Sequence, residues 1–220
     1  MFVLRPEPGA SATVKRARER GLQASIVPLF EIEAIAWKPP EAASFDGLLL
    51  TSANAVRWAG EQLNELRGLK AYTVGAATAD AARDAGFDIA ATGDAGVERL
   101  LSSIDAELRL IHLCGEARME IQGTRQSITP LVVYRSKPID APDLHGIGGN
   151  VALIHSPRAG QRLAELLDER ERETIVVAAI SKAAANAAGT GWKLTEVACA
   201  PSDDALLALA ARLCNNSLPE

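Results

Sequence analysis

The sequence predicts an α/β fold built from two flavodoxin-like domains with parallel sheets, one of which is discontinuous. Apolar residues make up 48% of the 220 residues but aromatic residues only 4%, which favours helices packed on strands over an aromatic-rich β-sandwich. Short apolar runs alternate with helical patterns along the chain, at residues 48–50, 71–74, 110–113, 151–154 and 175–178. Such alternation is typical of a parallel sheet that is covered by helices on both faces.

An internal repeat predicts the order of the elements. Residues 46–104 resemble residues 150–209 in layout. The first strand of one copy ends at residues 51–54 (Thr-Ser-Ala-Asn), and that of the other ends at residues 155–158 (His-Ser-Pro-Arg). In both copies a helix follows, and then a second strand, a small-residue turn and a second helix.

The two copies differ in what comes after them. Residues 110–133 close the first copy with a strand, a helix and a strand, but the second copy has no such unit before the chain ends. Residues 1–34 match the missing unit. We therefore expect residues 1–34 and 150–220 to form one discontinuous domain, and residues 42–133 to form an inserted domain with the same flavodoxin-type order. Two linkers are then required, and these are predicted at residues 35–41 and 134–149.

Composition argues against several classes of protein. The net charge of −5 is unlike the basic footprint of a nucleic-acid-binding domain. The cysteines show no CxxC pair (Cys114, Cys199 and Cys214), so neither a disulfide framework nor a zinc site is expected, and a reducing cytoplasm fits. No apolar run approaches the ~20 residues that a membrane span needs.

Nucleotide and metal sites also lack their sequence patterns. Residues 146–149 (Gly-Ile-Gly-Gly) are not followed by a helical pattern, so they are interpreted as linker and not as a phosphate-binding loop. The histidines have no metal-ligand spacing. His112 lies in an apolar run and is predicted to be a core residue, while His155 stands at a strand end, where it packs or faces a ligand. Glu116 and Arg118 are predicted to lie in solvent.

Ligand contacts are expected at the turns from strand to helix, where open α/β sheets bind their ligands. Such turns are predicted at residues 51–54, 75–78 and 156–158. The free N–H groups and the dipole of a helix start attract a carboxylate or phosphate, and Arg158 could pair with a carboxylate. Ordinary capping by the turn hydroxyl is the other interpretation, and the spacing leaves both open.

These segments together resemble the uroporphyrinogen-III synthase family over nearly the whole chain. The resemblance is carried by residues 4–6 (Leu-Arg-Pro), 28–29 (Pro-Leu), 46–56, 74–79, 129–134 and 201–206. The patterns Thr-Ser-x-Asn-Ala-Val and Val-Gly-x-x-Thr-Ala are its most specific parts. Two positions depart from the family: Cys114 precedes Gly115 where an arginine is common, and Ala184 lacks the hydroxyl expected there.

The resemblance implies a reaction and its setting. The implied enzyme is a carbon–oxygen lyase that cyclises hydroxymethylbilane with loss of water and inversion of ring D, as a step of haem biosynthesis. It needs no cofactor or metal, because its main task is to hold a near-attack geometry. The implied protein is a cytoplasmic monomer that binds no nucleic acid or membrane, with a transient contact with the upstream hydroxymethylbilane synthase as a further option.

The resemblance also implies site residues. Tyr134 is implied as the proton donor, since a phenol is protonated at neutral pH, and a tyrosine that merely packs at the linker is the alternative. The implied substrate-binding residues are Thr51, Ser52, Ala53, Asn54, Gly75, Thr78, Ser156, Arg158, Ser181 and Lys182. For Lys182 a solvated side chain is the alternative. For the whole protein, a non-catalytic two-lobed ligand-binding or sensor protein derived from this fold is the alternative.

Overall fold

A computed structural model describes residues 1–94, 96–118 and 120–215 of the chain. Within these residues the strands are, in chain order, β1 (Phe2–Val3), β2 (Ser25–Ile26), β3 (Phe30–Ala34), β4 (Gly47–Leu50), β5 (Lys70–Val74), β6 (Ile89–Gly93), β7 (Arg109–Gly115), β8 (Ser127–Pro138), β9 (Val151–Ile154), β10 (Val176–Ala179) and β11 (Leu194–Val197).

The helices of the same residues alternate with these strands. They are α1 (Gly9–Glu19), α2 (Ala53–Trp58), α3 (Ala76–Asp84), α4 (Val97–Ser102), α5 (Pro157–Leu166), α6 (Glu169–Arg172), α7 (Lys182–Ala188) and α8 (Asp203–Asn215), with 3-10 turns at Ala42–Ser44 and Glu61–Leu66. None of the helices in the described residues is long and apolar enough to cross a membrane.

The chain forms two compact units. Unit 1 consists of Met1–Glu31 and Lys137–Glu220, and unit 2 consists of Ile32–Ser136. Each unit contains its own sheet with helices around it, so the predicted α/β class with two parallel sheets is confirmed.

The sheet of unit 1 has the strand order β2-β1-β9-β10-β11, and all of its pairs are parallel. Numbered along the chain, this is the order 2-1-3-4-5 of flavodoxin. Phe2 in β1 pairs with Ser25 on one side and with Ala152 on the other. The first strand of the chain therefore lies inside a sheet whose other half begins about 150 residues later.

The sheet of unit 2 has the strand order β3-β8-β7-β4-β5-β6. Strands β4 to β8 are paired in parallel. They repeat the arrangement of unit 1, with β4 in the place of β9 and β7 in the place of β1. The spatial order of the strands is the same in both units, but the chain forms them in a different sequence: unit 1 begins with β1, whereas the repeated part of unit 2 begins with β4, the counterpart of β9. The internal repeat predicts this circular shift.

The chain passes from one unit to the other inside two strands. The division falls between Glu31 and Ile32 in β3, and between Ser136 and Lys137 in β8. These points differ from the predicted linkers at residues 35–41 and 134–149. The two strands are neighbours in the sheet, and the Ile35 N–H donates to the Val133 carbonyl over 2.9 Å. Whether the units fold independently within the predicted limits stays a prediction.

The predicted helix between residues 115 and 128 is wrong, because the described residues between β7 and β8 form no helix. Only residues 116–126 connect these two parallel strands, whereas residues 4–24, including α1, connect β1 and β2. A crossover between parallel strands needs about a dozen residues. The shorter connection has no length left for a helix and its two loops.

Both faces of each sheet are buried. In unit 1 the strand residues alternate: Leu4 and Ile154 face the cluster that contains α5 and α7, while Val3 and Leu153 face the cluster that contains α1 and α8. In unit 2, α2 and α3 cover one face and α4 covers part of the other. The second face has no counterpart of α1 in the described residues, and it is partly open beside β7 and β8.

Candidate functional site

A pocket of about 270 Å³ lies in unit 2 at the carboxyl ends of its central strands. Its polar wall consists of Thr51, His112, Cys114, Gly115, Arg118 and Tyr134. Thr51 directly follows β4, and Cys114 and Gly115 end the neighbouring strand β7. From β4 the next strands, β5 and β6, are added toward one edge of this sheet, whereas β7 and β8 are added toward the other. The strand order therefore reverses between β4 and β7, which is where α/β sheets bind their ligands.

The absent crossover helix explains why this pocket exists. His112 and Cys114 alternate in β7 with Ile111 and Leu113, which pack against α2 and α3, so the two polar side chains point to the partly open face. In unit 1 the corresponding face is filled by α1. In unit 2 the loop between β7 and β8 lies on this face instead, and its residues Arg118 and Ile121 line the pocket.

Thr51 and His112 form the central polar pair of the pocket. The Thr51 hydroxyl oxygen lies 3.0 Å from Nε2 of His112. His112 is 4% exposed, and burial lowers its pKa to about 4, with the positive charge of Arg118 acting in the same direction. The imidazole is therefore neutral at physiological pH. The predicted burial of His112 is confirmed. The sequence did not predict that His112 also lines a pocket, although a polar residue within an apolar strand could have indicated it.

Tyr134 lies beside the same pair, in β8. A bulge in the pairing of β7 with β8 brings Tyr134 opposite Gly115, as bulges often re-aim a side chain next to a site. A Cβ atom on Gly115 would lie 2.7 Å from Cζ of Tyr134 and 3.0 Å from its hydroxyl oxygen. Glycine is thus required at position 115 for the phenol to occupy its place.

Cys114 and Arg118 complete the wall. Cys114 is 2% exposed, its thiol donates to the Leu131 carbonyl over 3.4 Å, and burial raises its pKa. A neutral, hydrogen-bonded thiol is a poor nucleophile. Arg118 is exposed, as predicted, but it also lines the pocket and brings a positive charge to it.

The predicted serines all cap helices. Ser52, Ser156 and Ser181 accept hydrogen bonds of 3.2 Å from the backbone N–H groups of Asn54, Ala159 and Ala184, respectively. Capping and ligand binding are compatible, because a hydroxyl that accepts one hydrogen bond keeps its own hydrogen to donate. Ala53 lies with Asn54 in the first turn of α2, and both are partly buried.

Two equivalent turns differ in the backbone. Gly75 caps α3 with a φ of 82°, and a Cβ atom there would meet nothing within 4 Å. Ser181 caps α7 in an extended conformation. Thr78 in α3 is only 5% exposed, and its counterpart Ala184 in α7 is fully buried. This burial argues against a ligand contact by the Thr78 hydroxyl, and it makes the missing hydroxyl at Ala184 unimportant for binding.

The cations predicted at the turns of unit 1 are near its surface. The guanidinium of Arg158 lies 4.7 Å from the centre of the Phe30 ring, which stabilises the cation and limits its motion. Lys182 is exposed at the first position of α7. Thr51 and Tyr134 of the predicted set thus share a pocket in unit 2, while Ser156, Arg158, Ser181 and Lys182 belong to unit 1.

Sequence reasoning missed a polar cluster in unit 1. Asp203, at the start of α8, accepts hydrogen bonds from His155, Thr13 and Arg16 at 2.8, 2.9 and 2.6 Å, and Arg5 lies 3.6 Å from it. Burial would raise the pKa of Asp203, but these hydrogen bonds outweigh it and hold the pKa well below its ordinary range. Burial lowers the pKa of His155. The cluster joins residues that are distant in sequence, so no local pattern indicates it.

No group of three or more metal-binding side chains occurs within the residues that the structure describes. The polar groups around the pocket and at the turns include hydroxyls, backbone N–H groups and the positive charges of Arg118, Arg158 and Lys182. Such groups are suited to hold carboxylates.

The chain is similar in sequence pattern and in fold to known proteins. Residues 11–208 match the family model of uroporphyrinogen-III synthase HemD. The fold is similar to the crystal structure of uroporphyrinogen-III synthetase from Helicobacter pylori, with 17% identity, a TM-score of 0.65, and 86% of this chain and 93% of that chain covered. It is also similar to a mutant uroporphyrinogen III synthase from the extremely thermophilic bacterium Thermus thermophilus, with 19% identity, a TM-score of 0.56 and 98% of both chains covered. A search of curated proteins finds no match.

Proposed function

Because the chain belongs to the uroporphyrinogen-III synthase family, whose model matches residues 11–208, we propose that it converts hydroxymethylbilane to uroporphyrinogen III. The family match is the observation that carries this proposal. The pocket at the ends of β4 and β7 supports it, because its polar groups suit a substrate with eight carboxylate side chains.

The proposed reaction loses one water. Hydroxide leaves the hydroxymethyl carbon of ring A and gives an azafulvenium cation, and the substituted carbon of ring D attacks that carbon to form a spiro intermediate. The intermediate fragments and recloses with ring D inverted, and a proton leaves as the pyrrole regains aromaticity. Hydroxide and proton together make the water, so the enzyme acts as a cyclising carbon–oxygen lyase.

Tyr134 is the proposed proton donor. Its phenol proton passes to the departing hydroxide, and the proton released at ring D restores it. Its partly buried position beside Gly115 and next to the Thr51–His112 pair supports this role. General acid catalysis needs such a fixed donor within reach of the leaving group.

The strand-to-helix turns are proposed to hold the carboxylates. Thr51, Ser52, Ser156 and Ser181 would donate their hydroxyl hydrogens, while the α2 start at Ala53 and the first turn of α3 after Gly75 would offer backbone N–H groups. The N–H groups of Asn54 and Gly75 themselves already donate to Ser52 and Gly93. Arg158 and Lys182 would add positive charge. Local groups are necessary because the protein's net charge of −5 repels a polyanion at long range.

The wider setting belongs to the same proposal. We expect a cytoplasmic monomer that works without a cofactor and contacts the upstream hydroxymethylbilane synthase only transiently. Sedimentation velocity of the purified protein, alone and mixed with that synthase, measures both the oligomeric state and the contact.

Product analysis tests the proposed activity. Purified protein is mixed with hydroxymethylbilane, the porphyrinogens are oxidised, and the type I and type III isomers are separated by chromatography. We expect the type III isomer to dominate, whereas a reaction without protein gives type I by spontaneous closure. A protein that binds the bilane but leaves only type I would be a sensor or binding protein instead of an enzyme.

A further inference from the structure

His112 is the polar residue whose surroundings the proposed reaction does not yet explain. It lies in β7 between Ile111 and Leu113, which are fully buried. Its ring nevertheless lines the pocket that contains Tyr134, and also an adjoining pocket of about 220 Å³ with Arg118, Ile121 and Pro130 in its wall. A histidine that only filled the core would not need to reach both.

The hydrogen bond to Thr51 can be made in two ways. If Nδ1 carries the imidazole proton, the Thr51 hydroxyl donates to Nε2, and only oxygen lone pairs then face the pocket. If Nε2 carries the proton, it donates to the Thr51 oxygen across the observed 3.0 Å, and the hydroxyl hydrogen is free to turn into the pocket. Only in the second arrangement does Thr51 offer a donor to an anion.

The charges of the pocket favour the second arrangement. Arg118 lines both pockets beside the imidazole, whereas the acidic Glu120 lines only the second, so the pocket that contains Thr51 and Tyr134 carries a positive charge. The same charge attracts carboxylates to this wall. A hydroxyl with its hydrogen pointing inward would then meet the anion that Arg118 attracts.

We propose that His112 is a positioning residue, which donates its Nε2–H to Thr51 and thereby directs the Thr51 hydroxyl hydrogen to a carboxylate side chain of the substrate. The proposal rests on the proposed function for the identity of that substrate. His112 itself does not touch the reacting carbons. It makes Thr51 a donor before the substrate arrives, so that no reorganisation is needed on binding.

The tautomer of the imidazole tests this without any turnover. Protein labelled with 15N-histidine is measured at pH 7.5, where His112 is neutral, and the His112 signals are assigned by their loss in His112→Gln. We expect the signal of a protonated nitrogen at Nε2 and that of a bare nitrogen at Nδ1. A proton on Nδ1 would overturn the inference.

Kinetics with matched variants test the effect on the substrate. His112→Leu removes the donor, whereas His112→Gln keeps an N–H near the Nε2 position. We expect a roughly tenfold rise in KM for Leu with kcat nearly unchanged, and a change of less than about twofold for Gln, as for one lost hydrogen bond to a charged group. The exposed His145, changed to Leu, serves as the control.

A double variant separates positioning from general damage to the fold. Thr51→Val should raise KM as much as His112→Leu does, and the combination should be no worse than Thr51→Val alone, because the two residues act through one hydroxyl. Additive losses, or an unchanged KM in His112→Leu, would overturn the inference. If His112→Leu does not fold, the inference is tested by the KM of His112→Gln and by the tautomer of His112 in the parent protein. A parent protein that makes no type III isomer would instead overturn the proposed function.

Discussion

Nε2 of His155 donates to a carboxylate oxygen of Asp203 over 2.8 Å, and this hydrogen bond joins the end of β9 to the start of α8. The same carboxylate accepts from Thr13 and Arg16 of α1. Three segments that lie far apart in the sequence thus meet at one largely buried charge. Removing that charge leaves several donors without their acceptor, which is costly in a buried site.

Asp203→Asn should lower the free energy of unfolding by about 3 to 5 kcal/mol, the usual cost of breaking a buried ion pair. Urea denaturation measures it. Asp204→Asn is the control, because the neighbouring pair with Arg20 involves an Asp204 side chain that is 70% exposed, and such pairs contribute about 0 to 1 kcal/mol. Equal losses in the two variants would contradict a special role for Asp203.

Acid should destabilise the protein partly through His112. Its pKa is about 4 in the folded protein, compared with an ordinary value of 6.5. Between these pH values the unfolded chain binds a proton that the folded protein does not, so the free energy of unfolding falls as the pH falls. Each pKa unit corresponds to about 1.4 kcal/mol, which gives a loss of about 2 to 3 kcal/mol from pH 7 to pH 4.5.

His112→Gln should remove this share of the pH dependence. The measurement is urea denaturation at pH 7 and at pH 4.5 for the parent, His112→Gln and the control His145→Gln. We expect a smaller difference between the two pH values in His112→Gln alone. Parallel losses in all three proteins would show that His112 titrates normally.

Tyr134→Phe tests the proton donor, and Tyr72→Phe is its control, since these are the two tyrosines of the chain. General acid assistance is typically worth ~10²–10⁴-fold. We expect a loss in kcat of only about tenfold for Tyr134→Phe, because hydroxide leaves an electron-rich pyrrole readily and water can replace the phenol. Full kcat in a folded Tyr134→Phe protein would leave substrate positioning as the whole of catalysis.

Gly115→Ala tests whether the position of the Tyr134 phenol matters for catalysis, because Gly115 pairs with Tyr134 from the neighbouring strand β7. The added methyl group would overlap the Tyr134 ring, so the phenol must move while its chemistry is kept. We expect kcat to fall at least as far as in Tyr134→Phe. The product of the slower enzymatic reaction should still be the type III isomer. Normal kcat in Gly115→Ala would show that the position of the phenol is unimportant.

Lys182→Ala should raise KM by roughly fivefold, as expected for an exposed lysine–carboxylate pair. The turnover number should stay nearly unchanged, and the dependence of KM on salt should weaken, since one screened charge pair is lost. Lys193→Ala is the control for another exposed lysine of unit 1. If both variants bind as well as the parent at low ionic strength, Lys182 is a solvated surface residue.

Fragments test the discontinuous architecture. Residues 30–138 contain every strand of the six-stranded sheet and should melt cooperatively on their own. Residues 139–220 lack β1 and β2, so the edge of β9 would be exposed, and we expect aggregation. A soluble 139–220 fragment with a cooperative thermal transition would show that residues 1–31 are not needed to complete the sheet.

What could be predicted from the sequence followed from local chemistry and from repetition. Ser52, Ser156 and Ser181 stand where a hydroxyl caps a helix, and each one does. The comparison of the two copies predicted that residues 1–34 would complete the sheet of residues 150–220. β1 pairs with β9 in that sheet, whereas β3, at the end of the predicted range, belongs to the sheet of unit 2.

The rest depended on distances that the sequence does not contain. Residues 110–133 match the start of the chain, so a helix was predicted between their two strands. The connection between β7 and β8 is too short for a helix, and the pocket at His112 lies where the corresponding helix of unit 1 would be. Asp203 and Thr13 are 190 residues apart, so their contact follows from the packing of α8 near α1 and from no spacing pattern. Thr78 was predicted to contact the substrate because it lies in the turn that begins at Gly75. It is buried in the structure, on the inner face of α3.

The position of β1 also has a consequence for synthesis on the ribosome. Phe2 pairs with Ala152, so the first strand emerges 150 residues before its partner. At about 5–20 residues per second, this delay is roughly 8 to 30 s. Unit 2 can be completed within that interval, while the first 31 residues wait with an unpaired strand edge. Translation speed, or a chaperone that shields this amino-terminal segment, should therefore govern the yield of folded protein more than the stability of the finished molecule does.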